Sequence, residues 1–329
     1  MARAFVTGAT GFIGGHVARL LLEEGWEVRA LKRPGSFNPF LRDHQPRWLE
    51  GDLGDYPSIV KACRGCEAVF HVAADYRLWA PRPAEIYANN VQGTVNVLRA
   101  ARECGARRVV YTGSVGALGL REDASPADES TPVALKDMVG HYKRSKFLAE
   151  READKFSRAG LPLVKVHPST PVGPGDHKPT PTGKIIVDFL NRRMPAYVDT
   201  GLNLVHVRDV AKGHLLALEK GEIGEGYILG NRNMTLAEIF SVLEKISGIP
   251  APKFSLPHSP VLAVAAANEI FSRLTGKEPL VPLEGARMAR KRMFFSARKA
   301  VECLGLPQTP VEQALEEAVQ WFRQNEYAP

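Results

Sequence analysis

Three features of the 329-residue sequence predict a doubly wound α/β fold on a parallel sheet: short β-branched runs alternate with helix-length stretches, several runs are apolar throughout, and the first turn is rich in glycine. The opening run, residues 4–7, leads into a helical stretch over 12–24 and a second run over 27–31. Further strands are expected at 47–50, 68–71, 108–112 and 163–167, with helical segments between them. Val69-Phe70-His71-Val72-Ala73-Ala74 and Val109-Val110-Tyr111 are continuous runs rather than alternating ones, the pattern of strands covered by helices on both faces. After His167 the rhythm gives way to a stretch holding Pro168, Pro171, Pro174, Pro179 and Pro181, so 168–183 reads as a loop beside a site. A helix near 184–192, a strand near 204–207, a helix over 208–219 and a mostly helical last third follow, the latter broken at Pro250, Pro252, Pro257, Pro279 and Pro282. The reading predicts a dinucleotide-binding domain over 1–167 and a smaller, discontinuous, mainly substrate-binding domain over 168–329, with strands from 204–229 returning to the first.

The first strand runs into Gly8-Ala9-Thr10-Gly11-Phe12-Ile13-Gly14 and then an amphipathic helix. Glycines let this turn approach a pyrophosphate, and the helix start offers unpaired N–H groups and a positive dipole end. In the Rossmann-type arrangement the end of the second strand selects the cofactor. Arg29-Ala30-Leu31-Lys32-Arg33 offers no carboxylate for a ribose 2′-hydroxyl but two cations, Lys32 and Arg33, for a 2′-phosphate, so NADP(H) is favoured with NAD(H) as the alternative.

The segment Gly140-His141-Tyr142-Lys143-Arg144-Ser145-Lys146 places Tyr142 and Lys146 four residues apart, on one face of a helix. A cation near 4 Å would favour ionisation of a phenol by up to roughly 4 kcal/mol, about 3 pKa units. At the end of the fifth strand stands Thr112-Gly113-Ser114, where a hydroxyl can hold a substrate oxygen while Tyr142 moves the proton. An esterase elbow is disfavoured, because the segment lacks the first Gly of GxSxG.

On these residues the chain resembles the short-chain dehydrogenase/reductase superfamily, extended branch, over nearly its whole length. The resemblance implies hydride transfer at nicotinamide C4. It makes Tyr142 the acid/base, has Lys146 lower its pKa and hold the nicotinamide ribose, and has Ser114 polarise the substrate oxygen. By position, Asp52 and Leu53 would flank the adenine, while Ala73, Ala74 and Tyr76 would line the cofactor. Asn90 would be the family's active-site Asn, and Pro168, Ser169 and Thr170 would cover the nicotinamide. His167 stands where relatives usually carry Arg. Val115-Gly116 after Ser114 departs from the Asp-Glu pair of the 4,6-dehydratases. Nucleotide-sugar epimerases and dihydroflavonol-reductase-like or 3β-hydroxysteroid-dehydrogenase-like reductases remain, and 28–33 is similar to the reductases. Residues 70–79, 179–184 and 195–201 resemble the hopanoid-associated sugar epimerases, which implies a sugar or sugar-derived group linked to hopanoid lipid synthesis. The resemblance also implies a homodimer. The reading of another class, a non-catalytic NADP(H)-sensing module, is disfavoured because Ser114, Tyr142 and Lys146 are all present.

Trp79, Met138, Lys178, Lys184, Tyr197 and Arg208 are candidates for the substrate side. No metal is expected: Cys63 and Cys66 lack a second ligand pair, and His71, His167 and His206 lack ligand-like spacing. Of the net charge of +7, residues 251–300 carry +6, with nine Lys or Arg against three Glu, which argues against a nucleic-acid stripe along the whole protein. No apolar stretch reaches bilayer-spanning length and no secretory signal is visible, so a cytoplasmic protein is expected. The apolar-faced segment 259–274 and the mixed run 287–295 suggest peripheral contact with anionic lipid and access to an amphiphilic substrate.

Overall fold

A computed structural model describes residues 2–279 and 281–329. The chain runs β1 (Arg3–Thr7), α1 (Phe12–Glu23), β2 (Glu27–Lys32), β3 (Arg47–Glu50), α2 (Tyr56–Cys63), β4 (Ala68–His71), α3 (Ala84–Tyr87), α4 (Gly93–Glu103), β5 (Arg108–Thr112), α5 (Gly140–Arg158) and β6 (Leu163–Pro168). It continues through β7 (Thr170–Val172), α6 (Pro181–Leu190), β8 (Ala196–Val198), β9 (Gly201–His206), α7 (Val207–Lys220), β10 (Gly226–Leu229), β11 (Arg232–Thr235), α8 (Leu236–Ser247), β12 (Phe254–Leu256), α9 (His258–Thr275), α10 (Leu283–Met288) and α11 (Val311–Gln324).

Seven strands form one sheet in the order β10-β6-β5-β4-β1-β2-β3, every pairing parallel. Successive strand residues point to opposite faces, and both faces are buried. Val6 and Phe70 pack with Val17, Leu21, Val210 and Leu215 of α1 and α7, whereas Phe5, Val69 and Tyr111 pack with Ile59, Leu98 and Ala149 of α2, α4 and α5. Helix cover on both sides explains why the strands read as continuous apolar runs. Strand order reverses between β1 and β4, and the crevice at such a switch point, outside the carboxyl ends of the strands, is where ligands bind in this architecture.

A second, three-stranded sheet, β11-β9-β7, lies against α6, α8 and α11 around a core that includes Phe189, Phe240, Leu315 and Phe322. Within 204–229, β10 joins the large sheet through β6, while β9 pairs with β7 and β11. The proline-rich stretch is more ordered than a loop: it contains β7 and the start of α6. Pro181 is tolerated in the first turn of α6 because no N–H is required there, and the Thr180 hydroxyl caps that turn by accepting from Gly183 N at 3.1 Å.

Candidate active site

The glycine turn lies between β1 and α1 at the switch point. Gly8 adopts φ +79°, a conformation that favours glycine, and a Cβ there would stand 2.6 Å from Ala73 N. A Cβ on Gly14 would stand 2.2 Å from the Gly8 carbonyl oxygen, so α1 can approach the turn only without a side chain at that position. Gly11 caps α1, no side chain caps the helix, and its first turn holds no acidic residue. The leading N–H groups, those of Phe12 and Ile13 among them, therefore face the crevice without a protein anion, as a dinucleotide pyrophosphate requires. Buried Asn38 braces the turn by donating to Ala9 O at 2.9 Å and Gly11 O at 3.2 Å.

Lys32 ends β2 with its ammonium 5.9 Å from the centre of the Trp48 ring, and Arg33 beside it is exposed. The exposed Asp52 carboxylate accepts from Gly54 N at 2.8 Å, and Leu53 packs against Gly93 of α4. Ala73 and Ala74 stand two and three residues past the end of β4, and Ala73 abuts Gly8. Tyr76 reaches across the crevice to the Lys178 carbonyl at 3.5 Å. Pro168 closes β6, Ser169 N donates to Leu229 O at 3.0 Å, and Thr170 opens β7. Substituting Lys32 and Arg33 by alanine together is expected to weaken NADPH binding by tenfold or more, on the order of 1.5–3 kcal/mol for lost charge-assisted bonds, while leaving NADH binding nearly unchanged. Titration calorimetry with both cofactors checks this.

The catalytic candidates converge at the carboxyl end of β5. The Ser114 hydroxyl accepts from Gly116 N at 3.0 Å and lies beside the Tyr142 phenol. Lys146, buried on the same helix, donates to the Thr112 carbonyl at 2.7 Å. That placement corrects the sequence expectation that Lys146 depresses the Tyr142 pKa. Burial pushes the phenol above its ordinary value and the Ser114 hydroxyl works against that rise, while the Lys146 ammonium is committed to a carbonyl. Burial also brings Lys146 itself down to about 8, with buried Glu150 opposing the fall. Glu150 in turn meets His167 Nε2 at 2.9 Å. The His167 ring lies between Gly113 and Gly226, where a Cβ would come within 2.6 and 2.7 Å of it.

A buried chain of polar groups ties the nucleotide side to the catalytic helix, and sequence reading missed it. The Thr94 hydroxyl donates to Asn90 O at 2.6 Å, so its oxygen accepts from His71 Nε2 at 2.9 Å. His71 Nδ1 then accepts from Thr7 Oγ1 at 2.8 Å, and Thr7 Oγ1 accepts from Ala73 N at 3.2 Å. Burial lowers His71 to about 3, which keeps the ring neutral as this one-directional chain demands. Asn90 donates to Ser145 Oγ at 2.8 Å, and Ser145 donates to the Tyr142 carbonyl at 2.7 Å. Asn90 also exchanges hydrogen bonds with the Asp75 backbone at 2.7 and 2.9 Å, which fixes the segment before Tyr76.

Several substrate-side candidates have other partners. Tyr197 packs edge-on against Phe240, Met138 is buried beside Ala117 and Phe147, Lys184 pairs with Asp188 at 3.1 Å, and Arg208 pairs with Glu317. Trp79 is half-buried and Lys178 exposed near Tyr76. Two residues that motif and spacing do not single out tie the catalytic helix to the segment 283–293. Glu284 of α10 accepts from His141 N at 2.7 Å at the start of α5, and buried Lys143 has its ammonium 3.7 Å from Met293 Sδ. The four cysteines are free thiols, and among the described residues no cluster of three His, Cys, Asp or Glu side chains could hold a metal.

Residues 4–230 match the model of the NAD dependent epimerase/dehydratase family. A Synechocystis sp. protein provisionally named dihydroflavonol 4-reductase is 46 % identical over 327 residues, 98 % of this chain and 95 % of its own length. Sterol demethylase protein B of Methylococcus capsulatus is 32 % identical over 321 residues, 97 % of this chain and 98 % of its own. Among solved structures, the crystal structure of gox2253 is similar with 46 % identity and a TM-score of 0.89, covering 100 % of this chain and 99 % of the other. The chain therefore belongs to the NAD-dependent epimerase/dehydratase family and is an enzyme of the reductase and epimerase type.

Proposed function

We propose that the protein is an NADP(H)-dependent oxidoreductase acting on a carbonyl or secondary alcohol of an amphiphilic substrate, with Ser114, Tyr142 and Lys146 as its catalytic residues. The observation that carries this is the pair of adjacent hydroxyls, Ser114 and Tyr142, on the same side of the sheet end as the glycine turn, with a buried ammonium one helical turn along. Bound NADP(H) supplies or takes up the hydride. In the reductive direction Ser114 donates a hydrogen bond to the carbonyl oxygen, and Tyr142 delivers its proton to that oxygen. Ser114, which works against the rise that burial imposes on the phenol, steadies the phenolate left behind, and Lys146 would hold the nicotinamide ribose.

The reductase activity in the name of the Synechocystis relative supports net reduction, and Lys32 and Arg33 support the phosphorylated cofactor. A second reading is epimerisation of a sugar or sugar-derived group linked to hopanoid lipid synthesis, favoured by the segments 70–79, 179–184 and 195–201 and by the family to which the chain belongs. Cofactor stoichiometry separates them. With a keto-triterpenoid as substrate, loss of absorbance at the NADPH band in one-to-one proportion to alcohol formed is expected. Interconversion of a nucleotide sugar with no net change in cofactor would overturn the reductase reading in favour of the second.

A further inference from the structure

Helix α9 carries its apolar face outward. Ala263, Val264, Ala267, Ile270, Phe271 and Leu274 fall within about 120° of one another at roughly 100° per residue, and all six are exposed. Val264, Ile270, Phe271 and Leu274 are 56 %, 62 %, 61 % and 82 % exposed. The buried positions of the helix are the small residues Ala265 and Ser272. This inverts the usual arrangement, in which the apolar stripe of a surface helix faces the core. The strand just before it, β12, adds Phe254 at 71 % and Leu256 at 46 % exposure. An apolar surface of this extent marks an interaction site rather than scattered exposure.

Charge indicates the occupant. Lys253 precedes Phe254 and Lys277 follows Leu274, so exposed cations stand at both ends of the apolar surface. With Arg287, Arg290 and Lys291 they are exposed and, among the described residues, have no carboxylate within 4.0 Å. The segment 251–300 holds nearly all of the chain's net positive charge. A second copy of the chain would bring the same charge to the contact, whereas an anionic bilayer satisfies both the apolar stripe and the cations.

We infer that α9 and β12 form a lipid-docking surface that lays the protein on an anionic membrane, the apolar stripe entering the headgroup boundary and the flanking lysines meeting lipid phosphates. Helix α9 packs against α10, and α10 bonds through Glu284 to the first turn of the catalytic helix. Docking on this side therefore sets the start of the catalytic helix near the bilayer, from which an amphiphile can enter. The docking step itself is independent of which reaction the site performs.

Flotation of the full chain with vesicles of 70 % phosphatidylcholine and 30 % phosphatidylglycerol, against pure phosphatidylcholine, tests this, with NADPH binding as a check that each variant is folded. Binding to the anionic vesicles at low salt is expected, at least tenfold above the zwitterionic ones. The variant Ile270→Asp/Phe271→Asp/Leu274→Asp is expected to lose it. Lys253→Gln/Lys277→Gln is expected to weaken it by about fivefold per lysine. No binding to the anionic vesicles, or binding that neither variant alters, would overturn the proposal. So would a concentration-dependent dimer that the triple variant dissociates without vesicle binding, since the occupant would then be a second copy.

Discussion

Replacing Tyr142 by phenylalanine is expected to lower kcat by about 10²–10⁴-fold, the contribution of a positioned general acid or base, with NADPH affinity changed less than threefold. The phenylalanine keeps the ring and loses only the hydroxyl beside Ser114. Helix α5 keeps its position, because Ser145 bonds the Tyr142 carbonyl and not its side chain. Single-turnover measurement of NADPH oxidation separates the two quantities. A variant that kept full turnover would show that another group delivers the proton. Burial raises the Tyr142 pKa in the absence of ligand, so the wild-type rate of reduction is expected to hold through neutral pH, where the phenol carries its proton.

Substituting Gly14 by alanine is expected to reduce NADPH affinity by about 100-fold and stability by about 1–3 kcal/mol, the cost of overpacking a site that cannot yield. The added methyl meets Gly8 O at 2.2 Å and Gly8 C at 2.5 Å, which are backbone atoms of the turn that holds the phosphates. Either α1 withdraws from the turn or the turn is pushed toward Ala73. Gly11→Ala supplies the control. Its Cβ meets only Gly8 O, at 3.3 Å, so stability should change little while NADPH affinity falls by tenfold or so, because the methyl stands where backbone must approach a pyrophosphate. Thermal unfolding and calorimetric titration distinguish the two variants. An unchanged Tm for Gly14→Ala would contradict the close approach of helix and turn.

What the sequence made legible follows from local periodicity. Strands covered on both faces read as unbroken apolar runs, and the four-residue spacing of Tyr142 and Lys146 follows from the helical turn. The glycine turn announces itself because few other residues fit its close approaches. The connections across the site were not legible. His71 bonds partners 64 and 23 residues away, and Asn90 bonds Ser145 across 55 residues, so only the assembled sheet reveals them as one chain of hydrogen bonds. For a related reason, spacing places Lys146 near the phenol but does not reveal that the Thr112 carbonyl holds its ammonium. The 3.6-residue period of α9 was visible, but which side of the helix faces the protein depends on the small residues Ala265 and Ser272 fitting against it. Likewise the proline-rich stretch concealed a strand and a helix start, because proline in a first helical turn looks the same in sequence as proline in a loop.

The most direct test of the central claim, that the glycine turn and the Ser114, Tyr142 and Lys146 cluster form one catalytic crevice, is a crystal structure of the protein with bound NADP⁺. Pyrophosphate density is expected on the N–H groups that open α1, the 2′-phosphate beside Lys32 and Arg33, and the nicotinamide next to the Tyr142 hydroxyl. A nicotinamide ring seated on the far side of the sheet end, out of reach of Tyr142, would contradict it.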